Sequence, residues 1–131
     1  MTGAQYKAKL ASIAKESASA QTGIEKNLSA PTTVAALGTA MTAFSTAEEK
    51  IANELEGLAP PEDADSANTE LAQGFHDISS AIDDLVPQVR KQASTGAAIA
   101  LLNKSSSGAK AGHEVDDALT KLQKLGYTSG S

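Results

Sequence analysis

The chain has no cysteine and no tryptophan, and its 131 residues include only two phenylalanines (Phe44, Phe75) and two tyrosines (Tyr6, Tyr127). Without cysteine there is no disulfide framework, no thiolate metal site and no thiol nucleophile, while the redox compartment stays open. Positive charge is also scarce: 11 lysines and arginines against 16 acids leave a formal charge of -5. A nucleic-acid binder needs a basic stripe to displace counterions from phosphate, and none is present. No apolar run reaches the roughly 18 residues of a membrane span, and no charged-then-apolar leader follows Met1, so this chain is expected to hold neither a span nor a signal peptide. The length suits a single helical domain over residues 1–131 with one shared core.

What the sequence does have is alanine, leucine, lysine, glutamate and glutamine, residues that favour helix before any packing is considered. Tyr6, Leu10, Ile13, Ser17, Ala20, Ile24 and Leu28 recur at steps of three and four, tracing one face of a helix from Ala4 to about Leu28. Ser29-Ala30-Pro31-Thr32-Thr33 supplies a turn and hydroxyls able to cap a new helix start. Val34, Leu37, Met41, Phe44, Glu48, Ile51, Leu55 and Leu58 make the second face, with Ala47 expected to take the core role in place of Glu48. Gly57, through a left-handed cap, and Pro60-Pro61 should stop that helix. Ala67, Leu71, Phe75, Ile78, Ile82, Leu85 and Val89 make the third face, kinked by Pro87 and ending near Ala93. After a cap at Ser94-Thr95-Gly96, the fourth face runs from Ala98 to Leu125. Its weakest point is Ser105-Ser106-Ser107-Gly108, and Gly126-Tyr127 closes it with a glycine cap and an apolar contact.

These features predict an all-α fold, an antiparallel up-down four-helix bundle with long helices. Helices of this length would be about 37 to 45 Å long, and short connections make neighbours antiparallel. Measured from the Pro60-Pro61 end, Phe44, Phe75, Ser17 and Gly112 all fall at roughly 20 Å, so two large residues should face two small ones. Phe44 and Phe75 therefore read first as core fillers.

The chain resembles a broad group of small, Ala/Leu-rich, secreted or lipid-anchored helical proteins of actinobacteria. The likeness rests on Tyr6 before the first face, Ile13-Ala14 within it, the Leu55-Glu56-Gly57-Leu58-Ala59-Pro60-Pro61 junction and the closing Leu125-Gly126-Tyr127. Many members carry one cysteine near the position of Ala14 and another after the final Leu-Gly, so the disulfide that the resemblance implies is absent here. No function carries over from the group. The resemblance implies export to the cell envelope or the exterior, with any lipid anchor lying outside this chain.

Charge is the most informative polar feature. Glu48, Glu49, Glu54, Glu56, Glu62, Asp63, Asp65, Glu70, Asp77, Asp83 and Asp84 gather eleven of the sixteen acids into one stretch that only Lys50 interrupts. Lys7, Lys9, Lys121 and Lys124 should meet them at the same end. Glu62, Asp63 and Asp65 suit the positive start of the third helix, whereas Glu54 and Glu56 oppose a helix dipole by about 0.3 to 1 kcal/mol each. Glu54, Glu56, Glu62 and Asp63 are accordingly the candidate interface for a cationic protein or envelope partner. No calcium loop is present. His76 and His113 each sit beside a core position and should point outward, and neither an inward Glu-x-x-His pair nor a haem attachment motif is found, so no metal or cofactor is expected. No nucleophile elbow, P-loop or H-E-x-x-H motif appears, so enzyme activity is not expected. The reading is a non-catalytic, acidic, monomeric interaction module. The alternative is a carrier of a small apolar ligand, held near the kink between the third and fourth helices in a cavity formed by Phe44, Phe75, Pro87 and Gly112.

Overall fold

In the computed structural model the described residues are 1–29, 33–104 and 107–128. They form α1 (Gly3–Ser29), α2 (Val34–Glu56), a single 3-10 turn (Glu62–Ala64), α3 (Asp65–Arg90), α4 (Thr95–Lys104) and α5 (Ser107–Lys124), with no strand among them. α4 and α5 together cover the stretch expected as the fourth helix. The turn residues Ala30, Pro31 and Thr32 and the weak point at Ser105-Ser106 lie outside the described residues.

The helix ends follow from local chemistry. Thr2 and Gln5 cap α1 reciprocally: the Thr2 hydroxyl accepts from the Gln5 N–H at 3.1 Å, and the Gln5 side chain accepts from the Thr2 N–H at 2.8 Å. The Thr33 hydroxyl accepts from the Ala36 N–H at 2.9 Å and starts α2. Thr33→Ala is expected to cost about 0.5 to 2 kcal/mol, read as a lower urea midpoint with an unchanged slope. Gly57 caps α2 in right-handed backbone (φ -78°, ψ -7°), not in the expected left-handed form. Its N–H stays within bonding reach of Asn53 O, so the helical turn runs through Gly57 and has ended before Pro60-Pro61. α3 stops at Arg90 instead of near Ala93, because Ser94 already serves α4: its hydroxyl accepts from the Ala97 N–H at 3.1 Å. At the far end Gly126 adopts φ 86°, and the N–H groups of Tyr127 and Gly126 reach Leu122 O and Gln123 O at 3.0 and 2.9 Å. This paired closure is the glycine cap expected from the sequence.

α2 packs against α1 and α3, and α3 also packs against α5. The core has two parts. One holds Tyr6, Leu10 and Ile13 of α1, Ile51 and Leu55 of α2, Leu71 and Phe75 of α3, and Val115 and Leu122 of α5. The other holds Leu37, Met41, Val89 and Ala98, bordered by partly buried residues such as Ile82, Leu85, Leu101 and Leu102. Along α2 and α3 the two clusters are separated by a polar belt, since Ser45 and Glu48 lie between Met41 and Ile51, and Ser79 lies between Phe75 and Val89.

Two expectations about this core are corrected. Glu48 is itself buried at 2 % exposure, whereas Ala47 is only half-buried, so the strict 3-4 period holds and the carboxyl is carried inward. The layer of Phe44 and Phe75 against Ser17 and Gly112 does not form. Phe44 and Ser17 are half-buried, and a Cβ on Gly112 would meet nothing within 4 Å. The close approach is instead Gly74 against Val115, where a Cβ would sit 2.7 Å from Val115 Cγ2.

Candidate functional site

The acidic end builds from α2 and α3, whose contacts pair rising positions on one helix with falling positions on the other. Asn68 donates to Leu55 O at 3.0 Å, His76 meets Glu49, and Ser45 meets Ser79. Glu49 and Glu56 are two turns apart and so share a face of α2. His76 sits between them, with Nδ1 2.9 Å from Glu49 Oε2 and Nε2 2.6 Å from Glu56 Oε1. The histidine expected to point outward is therefore a partly buried bridge between α2 and α3. Its pKa is raised, first by the hydrogen bond to Glu49 and then by that to Glu56, with burial opposing. His113 is exposed.

The four candidate interface acids stand in different surroundings. Glu56 is bound to His76. Asp63 accepts from the Tyr127 hydroxyl at 2.8 Å. Glu54 lies 3.9 Å from Lys50, and its pKa is raised by burial and by a hydrogen bond with Glu16 of α1. Glu62 is exposed in the 3-10 turn. Of the lysines expected at this end, Lys121 pairs with Glu70 at 2.7 Å. Below the junction, Asp77 and Glu114 share a hydrogen bond between α3 and α5 that lowers the pKa of Asp77 and raises that of Glu114.

An open groove of about 860 Å³ runs beside this end between α2 and α3. It is lined by Ser45, Thr46, Glu49, Lys50, Asn53, Glu54, Ser79, Ser80 and Asp83. At its base the Ser45 hydroxyl donates to Asp83 Oδ1 at 2.5 Å and lies 2.9 Å from the Ser79 hydroxyl. The hydroxyl of Ser45 is thus held between α2 and α3 by the side chains of Ser79 and Asp83. None of the four candidate cavity residues lines the groove. Phe75 belongs to the first core cluster, Pro87 is exposed on α3, and Phe44 and Gly112 are half-buried. Among the described residues, no group of three or more histidine or acidic side chains is disposed to hold a metal ion, and no helix is long and apolar enough to cross a membrane.

The groove and the histidine bridge escaped the sequence reading because both depend on the register of α2 against α3. The available signals were the Glu49 and Glu56 spacing and the serines that interrupt two apolar stripes. No family model matches the chain, nor does any curated protein or solved structure.

Proposed function

We propose that this chain is a non-catalytic helical interaction module whose contact surface is the α2–α3 groove together with the adjoining acidic junction, and that its partner presents positive charge there. The lining of the groove carries this reading. All nine residues are polar or charged, and the three acids, Glu49, Glu54 and Asp83, outnumber their counter-charges, Lys50 near Glu54 and His76 against Glu49. Acids held together on one surface repel one another, and a cationic partner relieves that repulsion while being steered in by it. The interface thereby moves from the junction towards the groove, keeping Glu54 and Glu62 and giving up Glu56 and Asp63 to internal contacts. In this reading α1, α2, α3 and the α4–α5 pair form one antiparallel up-down bundle, monomeric and exported to the cell envelope as the resemblance implies. The apolar-carrier reading has less behind it, because Phe75 is packed into the first core cluster and Pro87 is exposed on α3.

The test is titration with a short oligolysine peptide, followed by backbone amide shifts. Shifts should concentrate at Ser45, Glu49, Glu54 and Asp83, weaken as salt rises, and disappear in the Glu54→Gln, Asp83→Asn double variant. Asn at position 83 keeps an acceptor for Ser45. Shifts scattered over the surface, or unchanged in the double variant, would sink the proposal.

A further inference from the structure

We propose that the polar belt between the two core clusters and the His76 bridge beside it form a proton-operated joint: α2 is held to its neighbours when Glu48 is neutral and His76 is charged, and is loosened when both lose their protons. The geometry of the two groups supplies the argument, and it is independent of any binding partner.

Glu48 Oε1 is buried without a hydrogen bond, in a residue only 2 % exposed. A carboxyl group tolerates that place; a carboxylate does not, because nothing there replaces its water. Burial alone pushes the Glu48 pKa up to about 7, and no charged group on α1, on α3 or on its own helix contributes. His76 has the opposite requirement. A neutral imidazole carries a single N–H, so it can donate to Glu49 or to Glu56 but not to both, and its remaining lone pair then faces a carboxylate. The bridge is complete only in the charged form. The charges around it are Glu49 and Glu56 of α2 and Asp77 of its own helix; beyond Asp77 lie Glu114 and Lys110 of α5.

Both groups act in one direction. Each has a folded pKa above its unfolded value, so each stabilises the fold at low pH, and the stabilisation disappears as pH rises through the folded value. For Glu48 the loss runs from about 4.5 to about 7. For His76 it begins at 6.5 and continues upward. Glu54 adds to the trend, since its pKa is also raised, by burial first and then by the carboxyl of Glu16 on α1, with Lys50 and Lys9 opposing. Opening should start in the belt, because it lies where neither apolar cluster is continuous.

The experiment follows thermal unfolding of the full chain from pH 5 to 8.5 for the wild type, Glu48→Gln and His76→Gln. Wild-type Tm should fall by roughly 5 °C or more across this range. Glu48→Gln should flatten that fall and exceed the wild type at pH 8, whereas His76→Gln should lie below the wild type at pH 5 and join it at pH 8.5. Hydrogen exchange, corrected for its intrinsic pH dependence, should accelerate more at Ser45 to Ile51 and at His76 to Asp83 than around Leu55 and Leu71. A flat wild-type curve, variants running parallel to it, or a uniform change in exchange would overturn the joint. Should Glu48→Gln fail to fold, the carboxyl carbon of Glu48 titrated in the wild type decides: a midpoint near 7 supports the proposal and one near 4.5 ends it.

Discussion

Tyr6→Ala is expected to lower stability by about 3 to 5 kcal/mol, a large part of the roughly 5 to 15 kcal/mol that holds a domain of this size together. Tyr6 is fully buried in the first turns of α1, at the end where α2, α3 and α5 converge. Its hydroxyl donates to Asn68 Oδ1 at 2.9 Å, and Asn68 Nδ2 donates onward to Leu55 O at 3.0 Å. That chain gives one of the last carbonyls of α2 a side-chain partner beside the Leu58 N–H, 3.2 Å away, and ties α1 and α3 to the end of α2. The ring also meets Tyr127 edge-on, with centroids 5.3 Å apart and an interplanar angle of 80°, so one side chain joins the first turns of α1 to the segment that follows α5. Truncation to alanine removes the ring, the contact and the hydrogen bond together.

Tyr6→Phe separates these contributions. It keeps the ring and leaves Asn68 Oδ1 buried without its donor, for an expected loss of about 1 to 3 kcal/mol. Urea unfolding of the two variants measures both; a phenylalanine variant as stable as the wild type would mean that the hydrogen-bond chain contributes nothing. There is also an alkaline consequence. Burial first, then Tyr127 and Asp65, push the Tyr6 pKa up to about 12 from the usual 10.0 of a tyrosine. The neutral phenol therefore stabilises the fold below pH 10, and this is lost as pH rises towards 12. Tyr6→Phe should lack that loss.

Much of this arrangement was legible before the structure. The 3-4 spacing located all the long helices, because that period reports a face regardless of what the face touches. Gly126-Tyr127 revealed a cap because so few residues tolerate a left-handed backbone. Glu48 shows where such reading goes wrong: its place in the period was correct, and only its chemistry suggested an exception. Phe44 shows another limit. It falls on the same stripe as Met41 and Leu55, yet the buried stripe runs through Ser45 instead, because α2 serves α1 and α3 on different sides. Periodicity fixes a face within one helix but not its rotation against a neighbour. The histidine bridge and the groove need that rotation and so could not be read from spacing.

The same limit bears on glycine, and two glycines should answer the same substitution with opposite signs. Gly74→Ala places a Cβ 2.7 Å from Val115 Cγ2, 3.1 Å from Val115 N and 3.4 Å from Val115 Cα. Valine is β-branched and nearly locked at χ1 in a helix, and its backbone atoms cannot retreat unless α5 moves as a unit. Overpacking of this kind costs about 1 to 3 kcal/mol, against which alanine returns about 1 kcal/mol of helix propensity. The expected net effect is a loss of up to about 2 kcal/mol once both are counted. Gly112→Ala meets nothing within 4 Å, so only the propensity remains, and it should gain up to about 1 kcal/mol. The two variants should therefore unfold on opposite sides of the wild type in urea. Movement of both in the same direction would mean that α3 and α5 do not meet at Gly74 and Val115. Restoration of the Gly74→Ala variant by Val115→Ala, which removes the obstructing methyls, would confirm that the conflict is steric and local.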